Sequence, residues 1–212
     1  MNEKKRYICL TGDVIRSNLS EQIESLNALP NILKQMNNEL NPIVPFNVFA
    51  GDEFQGLLAI SQNIFEYIDF LEYRLFPLRF RTGIGIGFVS TEIKSSTQAM
   101  RGSAFVLARK AIETARKNKN LYCLESDQKV NGIDTIINLM GFIKNQWTKK
   151  IVFNRYMLYN QYKSAGIVAK KEEVSKTAVN KMIRHYGMRE LKQAIKDIQK
   201  IINKVYAEGA TP

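Results

Sequence analysis

Apolar positions fall into short extended runs and longer helical stripes that alternate along the first two-thirds of the chain. Tyr7-Ile-Cys-Leu-Thr11 is an apolar run ending at Gly12-Asp13 and predicts a first strand, with Asp13 where it opens into a loop. Ile23, Leu26, Leu33, Met36 and Leu40 recur at helical spacing. Ser20 suits the N-cap of that helix, Glu21 and Glu24 suit its first turn, and Pro30 is expected to break or kink it. Two apolar runs, Val44 to Ala50 and Phe54 to Ile60, flank Gly51-Asp52-Glu53, the pattern of a tight hairpin with acids at its tip.

The second helical stripe is Ile64, Phe65, Ile68, Leu71, Glu72 and Leu75, opening at Ser61 and closed by Pro77. Leu78 to Val89 reads as a long strand whose second half alternates Gly83, Gly85 and Gly87 with Ile84, Ile86 and Phe88. Glycines at period two clear one sheet face, so a helix or a ligand is expected close against it. Their spacing is not that of a dinucleotide fingerprint. A helix over 104–118, a strand over 121–124 and a helix over 133–147 follow. The order β-α-β-β-α-β-α-β begins with the six elements of a split βαβ sheet. The fold class is therefore α/β (α+β): a ferredoxin-like or palm-like sheet with helices packed on it, followed by an all-α region. In that topology the first and third strands are the inner pair, which places Asp13 and the hairpin acid Asp52 at the same edge.

Charge divides the chain more sharply than composition does. Hydrophobic residues make up 45% of the 212, enough for a core, and the net charge is +11. Residues 1–145 carry 17 Lys+Arg against 15 Asp+Glu, whereas residues 146–212 carry 14 against 5, a balance of +9. The expected division is a nearly neutral domain over 1–147 and a basic helical domain over 148–212. Such asymmetry suits either a nucleic-acid-facing module or a solvated basic face. No apolar run reaches the length of a membrane span, and no signal-like segment opens the sequence, so a cytoplasmic protein is expected. Cys9 and Cys123 lie in strand-like runs as apolar thiols, and no Cys/His cluster suggests zinc.

Two adjacent carboxylates on a turn beside a sheet are oxygen ligands of the kind that Mg²⁺ or Mn²⁺ shares with phosphates, or simply a solvated turn. Thr11-Gly-Asp13, Gly51-Asp-Glu-Phe54, Arg81-Thr-Gly-Ile-Gly-Ile-Gly87 and Gly102-Ser-Ala-Phe-Val-Leu-Ala-Arg109 occur in an order that resembles class III and GGDEF-type nucleotide cyclases over about residues 6–125. With its basic tail, the whole chain resembles the SatD family. The cyclase resemblance implies a palm that binds a nucleoside triphosphate through Mg²⁺ or Mn²⁺. The metal ligands would be Asp13, Asp52 and Glu53, and the nucleotide would meet Gly12, Gly51 and Arg109. Arg109 reads equally as a surface helix arginine. Phe105 stands where class III cyclases carry an asparagine, and Ala50 replaces the first glycine of the GGDEF signature, so turnover stays open.

Residues 151–163 are helical in pattern, and 167–185 resemble a helix-turn-helix with Ala169 at the close crossing and Glu173 at the usual turn glycine. Ser175 suits the N-cap of the second helix. Ala178, Val179, Met182 and Ile183 should face inward. Ser175, Lys176, Thr177, Asn180, Lys181 and Arg184 would then face outward, a set suited to phosphates and base edges of double-stranded DNA. Glu172 and Glu173 would meet a polyanion poorly. Met188, Leu191, Ile195, Ile198, Ile202 and Val205 form a last stripe that either packs on the protein itself or makes a homodimer seam. His185 has no companion ligand. The leading functional expectation is a DNA-binding regulator whose cyclase-like domain binds a nucleotide and metal. The alternative is an active nucleotidyl cyclase or transferase with a basic oligomerisation or partner-binding tail.

Overall fold

In the computed structural model the described residues are 5–15 and 20–206, with the side chains of 20–25 and of Ala50 left aside. The expected cap and first-turn acids at Ser20, Glu21 and Glu24, and the side chain of Ile23, therefore lie outside what is described.

Five strands form one mixed sheet in the order β2-β3-β1-β4-β5: β1 (Arg6–Ile15), β2 (Val44–Ala50), β3 (Glu53–Ala59), β4 (Arg79–Phe88) and β5 (Tyr122–Ser126). β1 pairs antiparallel with both β3 and β4, and β5 adds parallel to β4. Within the four strands β2-β3-β1-β4 the inner pair is β1 and β3, as in a split βαβ sheet. The expected loop at Asp13 is corrected. Strand β1 runs on to Ile15, because Asp13 is held in both ladders, opposite Glu53 and opposite Arg81.

Period-two alternation sends Ile8, Leu10 and Val14 of β1, with Phe54 and Leu58 of β3, to one face. There they meet helices α1 (Ser20–Leu40) and α2 (Ile64–Leu75) in the main core. The expected break at Pro30 is also corrected, since α1 continues through it. Pro30 lies exposed beside buried Leu29 and Leu33, so water can take the carbonyl that its missing N–H leaves free. α2 is capped by Asn63, whose side chain accepts from Phe65 N, rather than opened by Ser61.

The opposite face carries α3 (Ser103–Asn118), which lies on the glycines of β4. A Cβ on Gly83 would stand 2.6 Å from the Ala108 carbonyl oxygen, and one on Gly85 would collide with the backbone of Ala104 and Ala108. The glycine stripe thus clears space for a helix. α3 covers only part of this face, and over β1 and β3 it leaves Thr11, Asp13, Glu53 and Gln55 beside its edge.

Helices α4 (Ile133–Asn145), α5 (Lys150–Tyr162), α6 (Ala165–Lys171), α7 (Lys176–His185) and α8 (Met188–Tyr206) complete the chain. They join the main core rather than standing apart. Trp147, at the expected domain boundary, is fully buried, and the same apolar cluster runs from Ile8 to Tyr206. Arg79 Nη2 donates to the Trp147 carbonyl at 2.7 Å, holding the chain where α4 ends. The α8 stripe is spent in this packing. Met188, Leu191, Ile195, Ile198 and Ile202 are buried, Val205 is partly buried, and Tyr206 OH donates to Gln128 O at 2.5 Å. Of the two expected uses of this stripe, packing on the protein itself is the one seen, its apolar face being covered within the chain. Among the described residues no helix is long and apolar enough to cross a membrane.

Candidate functional site

The site on the α3 face is assembled by strand register. Side chains of alternate residues share a face, so Thr11 and Asp13 of β1 stand beside Gln55 and Glu53 of β3. Gln55 Nε2 donates to Thr11 Oγ1 at 2.9 Å. The two-residue turn before β3 needs a positive φ at its first position, and Gly51 supplies it at +61°. The acid brought opposite Asp13 is Glu53, one residue past the expected Asp52. The expected pairing of Asp13 with Asp52 is corrected accordingly, because Asp52 occupies the turn and Glu53 is the first rung of the ladder.

α3 supplies the cations. Ala104, Ala108, Ala111, Ile112 and Ala115 are buried, fixing its rotation on the sheet. The neighbouring stripe of Phe105, Arg109, Glu113 and Arg116 then borders the open face. Arg116 Nε donates to Asp13 Oδ2 at 2.9 Å, and its Nη2 donates to Glu53 Oε1. Arg81 Nη1 reaches the same Asp13 oxygen at 3.4 Å, and Arg109 Nη1 lies 3.8 Å from Glu53 Oε2. The hydrogen bonds to Asp13 and Glu53 raise the Arg116 pKa further above its already high ordinary value. Burial pushes the Cys9 thiol, on the same face, up to about 12, so it stays protonated.

Beside this charged end lies an open cleft of about 510 Å³. Phe49, Met100, Phe105 and Val106 give it apolar walls; Thr11, Gln55 and Gln98 offer hydrogen-bonding groups; Arg109 and Lys110 stand at its edge. Gln98 Nε2 donates to the Phe49 carbonyl at 3.3 Å, tying the short 3₁₀ turn 97–99 to β2. Apolar walls with a few convergent polar groups are what a small-molecule site requires. Of the residues expected to meet a nucleotide, Arg109 lines this cleft. Gly12 is explained by the opposite face, where a Cβ would enter the Phe54 ring. Gly51 sits at the hairpin turn, with open space around its Cβ position.

The expected divalent ion fits these residues poorly. Oxygens of Asp13 and Glu53 that face one another already accept from one guanidinium. Arg81 Nε is buried without an acceptor, so the cluster is short of acceptors rather than of cations. Among the described residues no group of three or more His, Cys, Asp or Glu is placed to hold a metal ion. Sequence reasoning passed over Arg116 and gave Arg81 no role. The helical spacing of Arg109, Glu113 and Arg116 was the available signal.

The second candidate surface is α7. Ser175 caps it, its Oγ accepting from Ala178 N at 3.1 Å. The turn before it takes a left-handed residue where a glycine is customary, and Glu173 holds φ +53° there. Ala169 is buried at the crossing, and Val179 and Ile183 face inward. Ala178 is corrected to the exposed side, since the buried stripe of a ten-residue helix is narrow. Ser175, Lys176, Thr177, Lys181 and Arg184 are exposed and Asn180 is half-buried. Glu172 turns inward to α5, where Arg155 Nε donates to its Oε2 at 2.5 Å. One of the two acids that would have opposed a polyanion is thereby neutralised.

The SatD family profile matches residues 7–205. The chain belongs to the SatD family. No curated protein matches it. Two solved structures of a bacterial light-regulated adenylyl cyclase align with this SatD-family chain at 13% and 12% identity, each with a TM-score of 0.37. Each alignment covers 57% of this chain and 43% of the other, so the chain spans less than half the length of those structures. The palm-like description of the SatD-family chain rests on its own strand order.

Proposed function

We propose that this SatD-family chain is a cytoplasmic DNA-binding regulator whose α/β domain takes a nucleotide in the cleft beside α3. The α7 surface carries the reading. An N-capped helix follows a tight turn and exposes Lys176, Thr177, Lys181 and Arg184 on the part of the chain with a +9 charge balance. Cations and hydroxyls on one helix face suit phosphates, and Asn180 and Arg184 suit base edges. The cleft supports the nucleotide half: a base would lie against Phe49 and Phe105, hydrogen-bond to Gln55 or Gln98, and direct its phosphate towards Arg109 and Lys110.

Filter binding of the full chain to duplex DNA across a salt series tests the first half. Affinity should fall steeply with salt, as counterion release requires. No retained duplex at low salt would sink it. Thermal shift with the four ribonucleoside triphosphates and their monophosphates tests the second half, with Arg109→Ala as the control that should lose the shift.

The competing reading is an active nucleotidyl cyclase or transferase with the basic tail as an oligomerisation arm. Asp13 and Glu53 side by side speak for it. Their bridge through Arg116 and the burial of the α8 stripe speak against it.

A further inference from the structure

We infer that Arg116 fills the cation position of the Asp13–Glu53 pair, so that the cleft takes its anionic ligand without a divalent metal ion. The ligand half rests on the nucleotide reading above; the metal half stands on this geometry alone. Paired carboxylates at the end of a sheet need a counter-cation, and here the chain provides one. One edge of the guanidinium spans both groups, Nε to Asp13 at 2.9 Å and Nη2 to Glu53. Mg²⁺ would require those same oxygens at roughly 2.0–2.1 Å and near-octahedral geometry, which two N–H donors between the carboxylates exclude.

The placement of Arg116 is built into the fold. It lies in the last turn of α3, where a cation complements the helix dipole. The helix itself is fixed by Ala108 and Ile112 on Gly83 and by Ala104 and Ala108 on Gly85. Arg81 stands on the other flank of Asp13 at 3.4 Å. Two carboxylates thus face two guanidinium groups, with a third, Arg109, at 3.8 Å from Glu53. Glu113 accepts from Arg109 Nε at 2.8 Å, so three carboxylates meet three guanidinium groups and the cluster is electrostatically complete without a metal ion.

Mn²⁺ titration followed by electron paramagnetic resonance decides the metal half without any nucleotide. Wild type should bind no Mn²⁺ at these carboxylates. Arg116→Ala should gain one site at least about tenfold tighter than any in wild type, and adding Asp13→Asn should remove it. Arg116→Gln serves in the same way if circular dichroism shows the alanine variant unfolded. Mn²⁺ bound by wild type and lost in Asp13→Asn would overturn the inference, as would a folded Arg116 variant that gains no site. Calorimetry with ATP and GTP, in Mg²⁺ and again in EDTA, tests the ligand half. Equal affinity in both is expected, and binding abolished by EDTA overturns it. If neither nucleotide binds in either buffer, the nucleotide reading fails while the Mn²⁺ result still decides the role of Arg116.

Discussion

Lys144 Nζ donates to Glu72 Oε2 at 2.6 Å in the interior of the protein, where both side chains are buried. Asp69 accepts from the same ammonium, Tyr122 OH donates to Glu72, and Tyr156 OH donates to Asp69 at 3.0 Å. The cluster joins α2, β5, α4 and α5, so it ties the sheet domain to the basic helices. Lys144→Met would leave two buried carboxylates with no cation. Removing one partner of a buried pair typically costs about 3–5 kcal/mol. Urea unfolding should show that loss, with much of it recovered when Asp69→Asn and Glu72→Gln are added. A single variant within about 0.5 kcal/mol of wild type would mean the pair is already neutral.

The same cluster sets an alkaline limit on stability. Burial alone would lower the Lys144 pKa, but Asp69 and Glu72 outweigh it and hold the ammonium above its ordinary 10.5. Burial, then Glu72, pushes Tyr122 well above its ordinary 10.0, and burial, then Asp69, does the same for Tyr156. Each group keeps its proton in the folded state at a pH where the unfolded chain has lost it. Stability from all three is therefore complete below about pH 10 and falls as pH rises further. Melting midpoints at pH 8 to 11 should drop across the upper part of that range, and Tyr122→Phe should flatten the drop. A midpoint that rises with pH there would contradict the assignment.

Much of this was written locally in the chain. Gly83, Gly85 and Gly87 foretold a close neighbour on one face because a missing Cβ has a direct steric meaning, and α3 is that neighbour. The stripes of α2 and α8 foretold burial because apolar side chains at helical spacing share one face that must leave water. Asp13 was harder, since its strand character comes from pairing with residues some 40 and 70 positions away. The Arg116 bridge depends on the same long-range register and on the rotation of α3. Lys144 had a visible signal: it falls on the buried stripe of Ile137, Met140 and Gly141, where an ammonium needs an acid. Glu72, in an apolar stripe of α2, was the matching signal.

Two glycines should separate packing from backbone strain. Gly85→Ala places a methyl group on the backbone of α3, which cannot move without disturbing the whole helix. Overpacking of this kind costs about 1–3 kcal/mol or more. Gly51→Ala meets open space and pays only for φ +61°, about 1 kcal/mol. Chemical denaturation should rank Gly85→Ala as the more damaging. The reverse order would mean that α3 does not rest on β4 as described.

Lys181→Ala and Arg184→Ala isolate the proposed DNA surface from the fold. Both side chains are exposed on α7, while Val179 and Ile183 carry its packing. Stability should therefore change by less than about 0.5 kcal/mol in either variant. If Lys181 meets a phosphate, its loss should weaken binding to all duplexes alike and reduce the slope of log affinity against log salt by about 1. Arg184, if it reaches a base edge, should instead lose about 1–3 kcal/mol on the preferred sequence and little on others. Ser175→Ala makes a poorer probe, because it also removes a helix cap worth about 1 kcal/mol. Unchanged affinity and salt slope in a doubly substituted, folded protein would place the charge of α7 in solvent, and any nucleic-acid contact would then have to lie elsewhere on the basic tail.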